Sequence, residues 1–314
     1  MPFIGEIAGL LTSLFFAANA VVITRAGAQV GSVVLNRTRV VFALAYLILL
    51  NIILFRQPLP FGAGTDRWMW LGLSGLIGLA IGDAFLFQAY LVIGPRLGSL
   101  LLSLSTIFGT LEAWLFFGES LRLGQIIGIA LTLAGIIWVV MERPSPSPAP
   151  AGEIQSAMAA PPTPVRATRP LSGIVFGILA ALGQATGLVF SRQGMQGSFS
   201  PISGNAIRML AAVIALWLVA LFQKQASATL QTLKTHPSAV KLMALAALIG
   251  PVIGVSLSLL AVQNIPVGVA SVLTSLSPIF ILPFTHFFFK EHLGWQPIAG
   301  TILAIAGVVI LFLS

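Results

Sequence analysis

Ten stretches of this sequence stay apolar for about 20 residues each, the length that carries an α-helix, at ~1.5 Å per residue, across the ~30 Å core of a lipid bilayer. They are residues 4–24, 33–55, 68–93, 97–117, 123–141, 172–194, 201–222, 240–262, 267–289 and 295–313. A segment inside hydrocarbon must satisfy its own backbone hydrogen bonds, which leaves only helices and closed barrels. Barrel strands are runs of about 10 residues with alternating polarity, whereas these runs are continuous and longer. The expected fold is therefore an all-α integral membrane protein of ten transmembrane helices. Composition agrees: 57% of the residues are hydrophobic and 8% charged, with a mean hydropathy of +1.02. A soluble domain carries about 25% charged residues.

The same composition excludes several functions. The chain has no cysteine, so disulfides, thiolate nucleophiles and Cys-ligated metals are ruled out. Its formal charge of +8 comes from 16 Lys and Arg scattered through short connectors, the distribution of membrane-flanking anchors and not of a nucleic-acid-binding stripe. Glu6 lies close to Met1 and no basic leader precedes the first span, so a cleavable signal peptide is not expected. GxxxxGK[ST], HExxH, GxSxG and Asp-rich metal clusters are all missing, which speaks against ATP-driven transport and against an intramembrane enzyme. No cofactor is expected.

Residues 142–170 are rich in Pro, Ala and Ser and suit a flexible linker, so the chain divides into 1–141, the linker and 171–314. The two flanking parts repeat one another. A shift of 172 places aligns Gly75–Gly135 with Ala247–Gly307 without a gap. It pairs Gly78 with Gly250, Gly82 with Gly254, Ser99 with Ser271, Ser103 with Ser275, Ser105 with Ser277, Glu119 with Glu291, Gly128 with Gly300 and Gly135 with Gly307. Upstream, small gaps still leave Arg25 opposite Arg192, and Asn36 and Arg39 opposite Asn205 and Arg208. Five spans is an odd number, so the second half is expected to enter the membrane from the opposite side. Such inverted repeats are typical of secondary transporters, which bind their substrate near the midplane where the repeats meet.

The stretch "SLSTIFGTLEAWLFFGESLRLGQIIGIALTLAGI" and its partner "SLSPIFILPFTHFFFKEHLGWQPIAGTILAIAGV" resemble the paired EamA domains of the drug/metabolite transporter superfamily. The resemblance rests on the Ser-x-Ser run, the turn glutamates Glu119 and Glu291, and the glycines of the fifth helix of each half. It implies a multi-pass transporter of a prokaryotic plasma membrane that acts on small metabolites, amino-acid-like, or on drugs. Export by alternating access, with or without proton coupling, is the implied activity. Small-molecule substrate and lipid bilayer are the expected partners, and the chain is expected as a monomer or homodimer. Two positions depart from the family pattern. The proline after the Ser-x-Ser run, Pro278, is Thr106 in the first half, and Asp83 is no part of the general pattern.

Of the eight acids, only Asp83 and Glu112 fall well inside spans. A charge at the centre of a spanning helix costs about 2.5–3.5 kcal/mol, so it usually faces a bundle interior or an aqueous cavity. Asp83 shares a helical face with Phe87 and Tyr90. With Tyr90 beside it, Asp83 is a candidate proton or cation site, or else a hydrogen-bonded packing residue. Under the repeat its counterpart is Val255, so the scaffold forms this helix without an acid. Asp83→Asn is therefore expected to insert and fold but to lose or uncouple transport. Glu112 lies opposite Phe284, with His286 two places beyond, which allows either a Glu112–His286 proton relay or two separately packed groups.

Glu119 and Glu291 precede helices and suit capping. Ser74, Gly78 and Gly82, like Gly124 and Gly128, have the spacing that lets helices pack closely. Arg39 and Arg208 lie near segment starts, where the side chain can reach the interface; if Arg208 faces a cavity instead, it favours an anionic substrate. Asn19, Gln88, Gln184, Gln263, Ser103, Ser105, Ser275 and Ser277 are cavity-lining candidates or helix-bridging groups.

Two arguments about orientation disagree. Arg56, Arg67, Arg122 and Arg192 fall on the side of the termini and the remaining basic residues on the other, so the positive-inside rule puts the termini outside. The family resemblance puts them in the cytoplasm. A lipid or lipid-linked-sugar flippase on the same fold is the main alternative activity, and a channel the weaker one, since no filter loop interrupts the helices.

Overall fold

A computed structural model describes residues 3–118, 122–141, 170–277, 279–280 and 295–313. The described residues are helical almost throughout: α1 (Ile4–Phe55), α2 (Thr65–Ser74), π1 (Gly75–Gly82), α3 (Asp83–Leu102), α4 (Ser105–Phe117), α5 (Leu123–Met141), α6 (Pro170–Gly194), α7 (Pro201–Phe222), α8 (Ala226–Thr235), α9 (Pro237–Ala247), π2 (Leu248–Gly254), α10 (Val255–Asn264), α11 (Val267–Thr274) and α12 (Trp295–Leu313). Six continuous helices among them are long and apolar enough to cross a membrane. Large apolar side chains stay exposed on the outside of the bundle, among them Leu115 at 72% and Phe222 at 82%. A soluble protein would bury such a surface, whereas a bilayer solvates it.

One step of the difference from ten spans has a physical reason. α1 joins the first two expected spans in one 52-residue element. It bends at Gly31, whose backbone (φ 80°, ψ 161°) lies in a region essentially reserved for glycine. Gly94 adopts the same geometry (φ 82°, ψ 161°) between the third and fourth expected spans. Across each bend the arms close on one another: a Cβ at Gly27 would touch Leu35, and one at Gly98 would meet the Tyr90 ring. A single glycine thus turns the chain where a loop is expected. The ninth span is described only in part.

Polar contacts sort the turns into two ends. At one end Ser238 donates to Gln29 (2.8 Å), Ser32 donates to Gln88 (2.7 Å), and Arg37 donates to Gln225 (3.0 Å) and Thr229 (3.3 Å) beside α8. At the other, Arg67 donates to the Gln196 carbonyl (2.9 Å) and Gln263 to the carbonyls of Met195, Gly197 and Phe199.

Packing crosses between the halves. Ser74, Gly78 and Gly82 lie against Ser191, Gly187 and Gly183 of α6, and a Cβ added at Gly78 or Gly82 would meet α6 backbone. The Ser74 hydroxyl donates to the Gly187 carbonyl (2.6 Å). In the matching place of the other half, Gly250 and Gly254 receive Asn19 and Phe16 from the first arm of α1. Among the described residues the most extensive helix pair is α5 with α12. There Gly135 abuts Gly300 and Ala304, while Gly307 abuts Gly128 and Thr132. Each contact becomes the other under the 172-residue shift, and the partner numbers fall as the α5 numbers rise. The two helices therefore run antiparallel.

Two widened helical segments, π1 and π2, end immediately before Asp83 and Val255. A π turn loosens the regular backbone ladder, and such turns are frequent at functional sites. Here the second helix of each half supplies a donor to the loosened turn. Asn36 donates to the Ala80 carbonyl (3.3 Å) and Asn205 to the Pro251 carbonyl (2.7 Å).

Candidate functional site

The segments following π1 and π2 face a cavity that both halves line. It has a volume of about 120 Å³. That is room for roughly eight waters or one small molecule. Its charged groups among the described residues are Arg39, Asp83 and Arg208, and its apolar wall includes Phe16, Ile23, Leu86 and Phe87. Arg39 lies seven residues into the second arm of α1, counted from Ser32, and Arg208 seven residues into α7, counted from Pro201. Both are therefore ~10 Å from their helix starts, and those starts belong to opposite ends of the bundle. The cavity occupies the middle of the molecule.

Asp83 is 6% exposed and forms an ion pair with Arg39, itself 3% exposed. Its other carboxylate oxygen accepts from Gln184 (2.6 Å), which also donates to the Gly78 carbonyl (3.1 Å) of π1. The Arg39 guanidinium stands over the Phe87 ring, 4.8 Å from its centroid. Both charges of the pair are thus desolvated, but each has a partner. Removing one partner from such a pair leaves an uncompensated buried charge, which costs about 3–5 kcal/mol. Asp83→Asn therefore carries a folding cost that the Val255 comparison does not reveal, since Val255 takes part in no ion pair that could be broken.

Arg208 is also 3% exposed. Room for it comes from glycines: its backbone occupies the place of a Cβ at Gly75, and its Nη2 lies 3.5 Å from the place of a Cβ at Gly78. Among the described residues no hydrogen bond to its guanidinium is formed, and its buried Nε has no partner.

The remaining candidates separate. Asn19, Tyr90, Ser99, Ser103, Ser105, Gln184, Ser275 and Ser277 line the cavity together with Asp83 and Arg208. Tyr90 shares a hydrogen bond with Ser99 (3.3 Å), and Ser275 with Thr106 (2.9 Å). The side-chain oxygen of Asn19 has no partner among the described residues. The fourth helix of each half is interrupted beside the cavity, at Ser103–Leu104 and Ser275–Leu276. Both breaks use the same tightened hydrogen bond, from the Ser103 N–H to the Leu100 carbonyl and from the Ser275 N–H to the Val272 carbonyl.

Three candidates are not at the cavity. Gln88 is tied to Ser32 at the Gly31 bend, Glu112 accepts from Thr186 (2.9 Å) between α4 and α6, and Gln263 donates to the carbonyls of Met195, Gly197 and Phe199 at one end of the bundle. Five residues on from Asp83, Gln88 sits ~140° around the helix, which turns it away from the cavity and toward α1. His286, Glu119, Glu291 and Pro278 lie outside the described residues. The sequence position of Arg39 suits an interfacial anchor, yet the structure buries it. The signal that could have found it is Asn-x-x-Arg, present at Asn36–Arg39 and again at Asn205–Arg208.

Residues 3–141 and 171–313 each match the EamA-like transporter family. No curated protein matches the sequence. The chain superposes on a solved structure described as "Crystal structure of protein" with a TM-score of 0.68 at 17% identity, covering 98% of this chain and 96% of the other. At that identity the likeness speaks for the fold alone.

Proposed function

The chain belongs to the EamA-like transporter family, and from that premise we propose that it is a secondary carrier that exports a small metabolite or drug by alternating access. Its ten membrane-spanning helices form two inverted five-helix repeats. The linker 142–170 joins them, and the protein works in a prokaryotic plasma membrane. The observation that carries the reading is the mid-depth cavity lined by both halves, with one buried ion pair and one further arginine in its wall. Support for inversion comes from the antiparallel, reciprocal contacts of α5 with α12. A site shared by two such repeats can open to either end when one repeat rocks against the other. Close glycine-to-glycine packing between π1 and α6 gives that rocking a smooth contact.

Coupling is assigned to the Asp83–Arg39 pair, which opens when Asp83 takes up a proton and re-forms when it is released. Purified protein in proteoliposomes, loaded with unlabelled compounds from a panel of amino acids, organic acids and toxic amines, tests the reading. Saturable counterflow of at least one labelled compound, stimulated by a pH gradient, is the expected result. Conductance that does not saturate overturns it in favour of a channel, and movement confined to lipid probes overturns it in favour of a flippase.

A further inference from the structure

Building on the carrier reading, we propose that the transported molecule is an organic monoanion, a carboxylate or group of like charge on a small apolar body, and that Arg208 binds its charge. The cavity's charges do not cancel. Among the described lining residues there are two guanidinium groups and one carboxylate. The carboxylate is fully engaged, one oxygen by Arg39 and the other by Gln184. Arg208 keeps only long-range attraction to Asp83, without a hydrogen bond among the described residues. The repeat explains the imbalance: Arg39 has Asp83 beside it in its own half, whereas Arg208 has Val255 at the corresponding position.

A buried guanidinium without a partner is costly, and its planar donor fork fits a carboxylate with two parallel hydrogen bonds. An ammonium group entering this cavity would meet two cations and an acid with both oxygens already engaged. A neutral polar head would leave the charge of Arg208 uncompensated. Phe16, Ile23, Leu86 and Phe87 provide the surface for an apolar body, and the unpartnered oxygen of Asn19 accepts a bond from a hydroxyl or amide on it. The site therefore selects against the zwitterionic, amino-acid-like substrate that the family resemblance suggests.

Three probes with one body and different heads test this: phenylacetate, phenylacetamide and phenethylamine, measured by equilibrium binding to the full chain in detergent. Phenylacetate is expected to bind about tenfold or more tightly than the other two, the scale of one charge-assisted hydrogen bond. Arg208→Gln is expected to erase that preference and Arg208→Lys to keep part of it. Val255→Asp supplies the missing carboxylate from the protein itself, so it is expected to erase the preference as well. It also carries the test if Arg208→Gln is not monodisperse on gel filtration.

Equal binding of the three probes, tightest binding of phenethylamine, or an acid preference unchanged in both Arg208→Gln and Val255→Asp overturns the proposal. Counterflow in proteoliposomes separates the two readings. Saturable movement of phenethylamine without phenylacetate overturns the anion assignment and leaves the carrier standing. Arg208-dependent binding of phenylacetate without saturable movement supports the anion site and removes the carrier.

Discussion

The two halves share a frame and differ in charge. Each has an Asn-x-x-Arg on its second helix, a π segment on its third with a carbonyl that accepts from the asparagine, and a broken fourth helix with serines facing the cavity. Only the first half adds an acid, Asp83, where the second has Val255. Symmetry here belongs to the interactions that build the bundle, and asymmetry to the charges that line the cavity. Gly135 and Gly307 do the same work in mirrored places, whereas Arg39 and Arg208 do not.

That contrast predicts where paired substitutions agree and where they part. Asp83→Asn is expected to lower stability by about 3–5 kcal/mol, because it strands Arg39 beside an already unpaired Arg208. Thermal unfolding in detergent reads this, and the double variant Asp83→Asn with Arg39→Gln should recover most of the loss. Val255→Asn, the same side chain at the matching place, should cost far less.

Gly135→Ala and Gly307→Ala each push a methyl into the facing backbone of the α5–α12 pair. Each is expected to cost about 1–3 kcal/mol. The two losses should be equal within error, and a large difference would break the pseudo-twofold description. Asn36→Ala and Asn205→Ala should each cost about 1 kcal/mol, again as a matched pair, by leaving a π-segment carbonyl without its donor. Thr132→Ala, which gives α5 the residue α12 already has at Ala304, removes a 3.5 Å contact and should cost about 0.6 kcal/mol or less.

Much of this was legible in the sequence. Run length marked an all-helical membrane protein, six of whose described helices are long and apolar enough to span, and a fixed shift exposed the repeat that the family model matches twice. The cost of an acid in hydrocarbon singled out Asp83. What stayed hidden follows from physics that periodicity does not encode. Gly31 and Gly94 turn the chain in one residue, so two loops that polarity suggested are not there. The π segments change the phase of the third helix in each half, and no residue type announces them. Arg39 and Arg208 have the same relation to their helix starts as an interfacial anchor has. The glycines opposite Arg208 and the acid beside Arg39 go with their inward turn. Gln88 shows the converse, a polar group within a span that a neighbouring bend takes from the cavity.

The chain's lack of cysteine allows a direct test of the proposed carrier. Leu102 and Ser258 both line the cavity, Leu102 eight residues from the Gly94 turn and Ser258 six residues from the opposite end at Asn264. In the double variant Leu102→Cys with Ser258→Cys, a membrane-impermeant maleimide is applied first to one face of oriented vesicles and then to the other. Alternating access predicts mutually exclusive labelling: modification at one position holds the cavity open to that face and suppresses reaction of the other from the opposite face. Independent labelling of both positions to completion would mean a pathway open at both ends, and would contradict the account.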